Sequence, residues 1–240
     1  MRGRGYLQTS VWLRWSAMHP CVDVLLPRTS TNEAAAAARA RTSATSTASA
    51  AGFMRWTSAG AAACFSLVVV ITVRRLDADA ARAALPELAA VLHDCVEAGE
   101  SVSFLAGFTL EDARSFYESL LPELERGTRV LVAAFEDGEL VGSAQLVHAW
   151  PPNSQHRAEV VKLVVHRSAR GRGVGHALME RLEEEARADG KTLLVLDAVS
   201  GGLADALYER LGWTRFGIVP GYALDPSGVP RDAAFFYKRL

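Results

Sequence analysis

The feature that most constrains the fold is a β-branched run that stops at glycine and arginine and resumes as an amphipathic helix. It reads Val161-Lys162-Leu163-Val164-Val165-His166-Arg167-Ser168-Ala169-Arg170-Gly171-Arg172-Gly173-Val174-Gly175-His176-Ala177-Leu178. A strand followed at once by a helix implies a sheet covered by helices, so an α/β domain is expected. The intervening loop has the physics of an anion site. The first N–H groups of a helix lack intrahelical partners, and the helix dipole adds partial positive charge there. Gly171, Gly173 and Gly175 let the backbone approach an anion, and Arg170 and Arg172 add full charges. Together these suit a pyrophosphate. A Walker loop is excluded because no Lys follows the glycines. A dinucleotide fingerprint fails at His176 in one register and at Leu178 in the next.

The remaining sequence from about Leu67 alternates strand and helix signals. Leu67 to Val73 reads as a buried first strand ending at Arg74-Arg75. Asp77 can cap a helix toward Glu97, with Leu85, Leu88, Leu92 and Val96 at helical spacing, closed by Gly99. Thr109 and Asp112 form a capping box for a second helix to about Glu125. Arg129 to Phe135 and Glu139 to His148 flank the turn Asp137-Gly138, a strong hairpin signal. Further strands are expected at Ala158 to Val165, Thr192 to Leu196, Trp213 to Ile218 and Ala234 to Lys238. Helices are expected at Val174 to Asp189 and Leu203 to Leu211. In the charged run from Glu180 to Arg187, Leu178, Leu182 and Ala186 should point inward and the charges outward.

Residues 1–65 differ in composition. Glu33 to Ser49 is alanine-, serine- and threonine-rich, with almost nothing large to bury, and this extension is expected to be disordered. It reads as a dispensable extension preceding a true start at Met54; its Arg-rich, acid-poor composition also describes an organelle transit peptide, and a functional tail is the remaining alternative. The folded domain is expected to span 66–240. Ala59 to Val73 is too short to cross a membrane, and no membrane partner is expected. The net charge of -1 argues against a nucleic-acid binder. Cys21, Cys64 and Cys95 form no C-x-x-C pair, which favours a reducing, cytoplasmic setting. The histidines show no metal-ligand spacing, and no metal is expected. Trp150-Pro151-Pro152-Asn153 reads as a turn, or as a wall beside an acceptor site.

The six residues Arg170-Gly171-Arg172-Gly173-Val174-Gly175 fit Gln or Arg, two residues, Gly, one residue, then Gly or Ala. With Ala204-Asp205-Ala206-Leu207-Tyr208-Glu209-Arg210-Leu211-Gly212-Trp213, an A-x-x-L-Y-x-x-x-G-aromatic segment, the chain resembles the GNAT N-acetyltransferases. The resemblance covers about Leu67 to Leu240. It implies a mixed, mostly antiparallel twisted sheet of six to seven strands flanked by about four helices. Ala158-Glu159-Val160-Val161-Lys162-Leu163, Leu196-Asp197, Pro220-Gly221-Tyr222-Ala223 and Phe236-Tyr237-Lys238 narrow it to the tabtoxin-resistance acetyltransferase group.

The resemblance implies acetyl-CoA as co-substrate, its diphosphate on Arg170, Gly171, Arg172, Gly173, Val174, Gly175 and His176. Its pantetheine arm would lie along the backbone of Leu163, Val164 and Val165. Tyr208 holds the superfamily's usual general-acid position. Glu159 and Asp197 are the candidate bases; Asp197 ends a strand at the C-terminal edge, where α/β sites gather. Gly201 stands where many members carry a cofactor-contacting Asn, which suggests a roomier or more mobile loop. The expected activity is acetyl transfer to a primary amine of a small molecule, by direct attack. The alternatives are acetylation of protein N-termini or lysines, and a module that binds acetyl-CoA without turnover. A homodimer stays open.

Overall fold

The computed structural model describes residues 70–240. The expected N-terminal extension, and the expected strand before Val70, lie outside the described residues. The strands are β1 (Ile71–Leu76), β2 (Arg129–Glu136), β3 (Glu139–His148), β4 (Arg157–Val165), β5 (Leu193–Val199), β6 (Thr214–Leu224) and β7 (Pro230–Arg239). The helices are α1 (Ala78–Ala83), α2 (Leu85–Glu97), α3 (Leu110–Glu125), α4 (Val174–Ala188) and α5 (Leu203–Arg210). They accompany one seven-stranded sheet in the order β1-β2-β3-β4-β5-β7-β6. Every neighbouring pair is antiparallel except β4 with β5, which is parallel.

Several expectations are corrected by identifiable local physics. The first helix is two. Asp77 caps α1, accepting from the Ala80 N–H, but Pro86 in the first turn of α2 forces a new start at Leu85. Five α-helices therefore lie among the described residues. β1 runs on through Arg74, Arg75 and Leu76, and it is an edge strand in which only Leu76 is buried. Its arginines are held sideways, Arg74 4.4 Å from the Phe135 ring centroid and Arg75 on Glu185 at 3.0 Å. β6 continues past Ile218, the expected end of the strand, through Pro220-Gly221; the ladder with β7 skips there, between Val219 and Ala223. On α4, Glu183 and Glu185 are buried, paired with Lys238 and Arg181, instead of solvated as expected.

Two hydrophobic clusters hold the helices to opposite faces of the sheet. Leu178, Met179 and Leu182 of α4 pack on Val130, Val132, Leu146, Leu194 and Phe236. Leu88 and Leu92 of α2 and Tyr117 of α3 pack on Leu131 and Ala133. Gly142 makes the first layer close: a Cβ there would sit 2.9 Å from the Val164 carbonyl oxygen and about as near Leu178 and Val174. Among the described residues, no helix is long and apolar enough to cross a membrane.

Candidate active site

The site begins where the one parallel pairing stops. β4 and β5 are in register only at Arg157 with Leu193, Ala158 with Leu194 and Glu159 with Val195. Beyond that point β5 stays with β7 to Val199, and β4 stays with β3 to Val165. The sheet therefore opens between them, and the β5-facing edge of β4 from Val160 onward has no ladder partner. Glu159 lies at the last paired position and Asp197 two residues beyond Val195. β4 also bulges: Gln145 faces Val161, but Ser143 faces Val164. The extra residue is absorbed at Lys162, whose φ is +55°, rare for a side chain this long.

The glycine loop leaves the far end of β4. His166 to Ala169 make one short 3-10 turn, and α4 starts at Val174 with Gly173 as its N-cap at φ +88°. Gly173 offers no side-chain cap. Gly171 and Gly173 both have positive φ and open space where a Cβ would project. Gly175 is different: a Cβ there would lie 3.3 Å from Leu207 Cδ2, so it lets α4 approach the helix that carries Tyr208. The arginines are committed to protein partners. Arg170 donates to Glu100 at 2.7 Å and to the Val165 carbonyl at 3.1 Å. Arg172 donates to Glu136 at 2.7 Å and to the Ser168 carbonyl. Arg167 completes the staple on Asp94. The arginines thus hold the loop in shape and leave its main chain open at Gly171 and Gly173.

Glu159, Lys162 and Asp197 face one another across the opening without any ion pair within 4 Å among the described residues. Burial raises the Glu159 carboxyl, and the charge of Asp197 raises it further. Burial also raises Asp197, with Lys162 acting in the opposite direction. Burial lowers the Lys162 ammonium to about 8, against the pull of Asp197 and Glu159. Raised carboxylates are better proton acceptors at neutral pH than ordinary ones. Tyr208 is buried against Trp213 and Phe236, with ring centroids 6.0 and 5.5 Å away. Burial first, then the charges of Asp197 and Asp205, keep its phenol protonated. Its hydroxyl makes no hydrogen bond to a described residue.

Two segments close over this opening, and neither was singled out for a role by sequence reasoning. The loop between α2 and α3 is tied to the β6–β7 turn by Ala106 donating to the Pro226 carbonyl at 2.7 Å. From it Ser103, at φ +74°, accepts a 2.8 Å hydrogen bond from Lys162 Nζ. Phe104 stacks on Phe108 and meets Phe116 of α3 edge-on, at 4.0 and 5.4 Å between centroids. From the other side, Tyr222 packs edge-on against Phe235 at 5.0 Å, opposite Asp197 in the ladder. Burial and the two carboxylates push its phenol up to about 12. The Ser200–Gly202 loop is held, not slack: Gly201 donates to Asp205 and Ser200 to the Asp232 carbonyl, each at 2.8 Å.

A model of the acetyltransferase (GNAT) family matches residues 94–213, from the acid that staples the loop to the tryptophan behind Tyr208. The chain belongs to the GNAT acetyltransferase family. An L-methionine sulfoximine/L-methionine sulfone acetyltransferase of Pseudomonas aeruginosa is 31% identical over 144 residues, covering 59% of this chain and 81% of the relative. The Brucella melitensis ribosomal-protein-alanine N-acetyltransferase superposes with a TM-score of 0.59 at 27% identity, covering 70% of this chain and 99% of that one. The yncA protein of Salmonella typhimurium, solved with its cofactor acetyl-CoA, gives 0.59 at 21% identity, with 71% and 94% covered, and shares the fold.

GNAT enzymes are acetyl-CoA-dependent N-acetyltransferases, and the expected sheet and its mixed pairing are those of this chain. Within the GNAT frame, Leu163, Val164 and Val165 line the unladdered edge of β4, and residues 170–176 form the loop at its end. Glu159 and Asp197 stand on the two sides of the strand opening, with Tyr208 on α5 near Asp197. Lys162 and Tyr222 are additions. Tyr222 had one local signal, the Pro220-Gly221 break before it. Lys162 lies in the Ala158–Leu163 segment that carries the resemblance, but a bulge at a non-glycine residue leaves no mark in the sequence that would single it out. Among the described residues, no group of three or more His, Cys, Asp or Glu could hold a metal ion. Trp150 is exposed in a turn whose carbonyls, at 149, 150 and 151, all accept from Gln155 Nε2.

Proposed function

We propose that the chain acetylates the primary amine of a small molecule by direct attack, in the opening between β4 and β5. The observation that carries this is the opening itself, with two unpaired carboxylates at its start and an uncapped helix N-terminus at its end. Bound acetyl-CoA supplies an acyl group on a thiol leaving group. The main-chain N–H groups from Gly171 to His176 receive its diphosphate, and the free edge of β4 from Leu163 to Val165 bonds its pantetheine arm. An alkyl ammonium has a pKa of about 10, so the attacking amine must first lose a proton. Glu159 or Asp197 accepts it, each with a raised pKa. A β4 N–H near the bulge stabilises the carbonyl oxygen as charge develops on it. Tyr208, held protonated, returns a proton to the departing sulfur.

The Pseudomonas relative named for methionine sulfoximine and methionine sulfone supports an amino-acid-like acceptor. The expected setting is the cytoplasm. The test is thiol release from acetyl-CoA with a panel of amines that includes methionine sulfone, a peptide N-terminus and a lysine peptide. Turnover with small amines alone supports this reading. Turnover only with peptides shifts the assignment to a protein acetyltransferase. Tight acetyl-CoA binding with no turnover shifts it to a cofactor-binding module.

A further inference from the structure

We propose that Lys162 is a specificity-determining residue that holds an acid group of the acceptor, so that the enzyme selects amines carrying a carboxylate close to the reacting nitrogen. This rests on the small-amine reading above. The charges around Lys162 are unbalanced. A half-buried ion without a counter-ion is costly, and such groups are kept paired unless a ligand completes them. Lys162 has no carboxylate within 4 Å among the described residues, and neither Glu159 nor Asp197 has a cation at that distance. All three face one opening and sense one another.

The other cations nearby are placed differently. Arg129 is spent on Glu123 at 2.8 Å and Gln145 at 2.6 Å. Arg157 lies near Glu159 and sits where β4 and β5 are still paired. Lys162 instead projects from the bulge, beyond the point of divergence. Its Nζ donates one hydrogen bond, to Ser103, and an ammonium has three to give. The Phe104 and Phe116 rings lie 5.4 and 5.9 Å from it and fix its approach without neutralising it. A zwitterion closes the set. Its ammonium lies against Glu159 and Asp197 before losing a proton, its acid group takes the two free donors of Lys162, and its apolar body meets the phenylalanines.

The test compares α-amino acids with apolar side chains, methionine sulfone first, each beside its carboxamide. The selectivity, the ratio of kcat/KM for acid over amide, is measured for the wild type, Lys162→Met and Lys162→Arg. The expected wild-type preference for the acid collapses by about 30-fold or more in Lys162→Met, through KM, and returns in large part in Lys162→Arg. The affinity of each variant for acetyl-CoA and its melting temperature are read in parallel, so that a misfolded variant is recognised and replaced by Lys162→Gln. A wild type that does not prefer the acid, or a preference that survives in Lys162→Met or Lys162→Gln, overturns the proposal while leaving the acetyltransferase reading intact. A wild type that turns over no small amine removes that reading itself, and this one with it.

Discussion

The two ends of the β4–β5 opening are built on different principles. At the end beyond Val165 the proposed binding element is main chain. Glycines with positive φ expose it, and arginines face away from it toward Glu100 and Glu136. At the end near Glu159 the element is a set of side chains drawn from β4, β5, β6, α3 and the α2–α3 loop. A backbone site serves a ligand part that never varies, because it offers the same N–H groups whatever the neighbouring side chains are. A side-chain site can be retuned residue by residue to a new acceptor. On this proposal one domain can keep its acyl donor while its acceptor end changes.

The contrast can be broken most severely at Gly173. Gly173→Glu places a carboxylate in the open cradle and should weaken acetyl-CoA binding by about 100-fold or more, since like charges brought together cost several kcal/mol. The positive φ adds only about 1–2 kcal/mol of backbone strain, so the protein should still fold. Calorimetry and a melting curve separate the two effects; unchanged affinity would contradict the main-chain account.

Tyr208→Phe tests the junction of the two ends. It removes the proposed proton donor and keeps the ring against Trp213 and Phe236, so kcat should fall about 10²-fold with acetyl-CoA affinity nearly unchanged. Loss of affinity with kcat retained would remove its role as acid.

The acceptor end can be sharpened by pH. Glu159 is raised partly by the charge of Asp197. The base must be deprotonated to act, so a raised pKa moves the acid limb of kcat/KM upward. Asp197→Asn removes the neighbouring negative charge. The activity that remains should rise with pH along a limb displaced to lower pH. A limb that does not move, or moves up, would show that the carboxylates do not act on each other.

The smallest expected effect is at Gly175. Its Cβ contact is with a flexible leucine, which must give by a few tenths of an ångström. Gly175→Ala should cost only a few-fold in kcat, by displacing α5 and Tyr208, and little in affinity. A large loss of affinity would instead mean that Gly175 serves the anion directly.

The same division governs what the sequence makes legible. The helix start at Val174 and the capping box at Thr109 are local events, fixed by residues adjacent in the chain, and both are where the pattern puts them. The resemblance proposes roles for Tyr208, Glu159 and Asp197; the fold sets Glu159 and Asp197 on the two sides of the opening and Tyr208 near Asp197. The rest depends on contacts distant in sequence. Nothing near Arg170 says that it will meet Glu100, nor near Lys162 that it will reach Ser103, 59 residues away. The second half of β6 is hidden because Pro220 and Gly221 signal a stop, and only its ladder with β7 carries the strand past them.

The most direct test is a crystal structure of the protein with acetyl-CoA. The account predicts diphosphate oxygens within hydrogen-bond distance of main-chain N–H groups between Arg170 and His176, and a pantetheine arm running between β4 and β5 toward Glu159. A diphosphate bound elsewhere, with those N–H groups left to solvent, would contradict it.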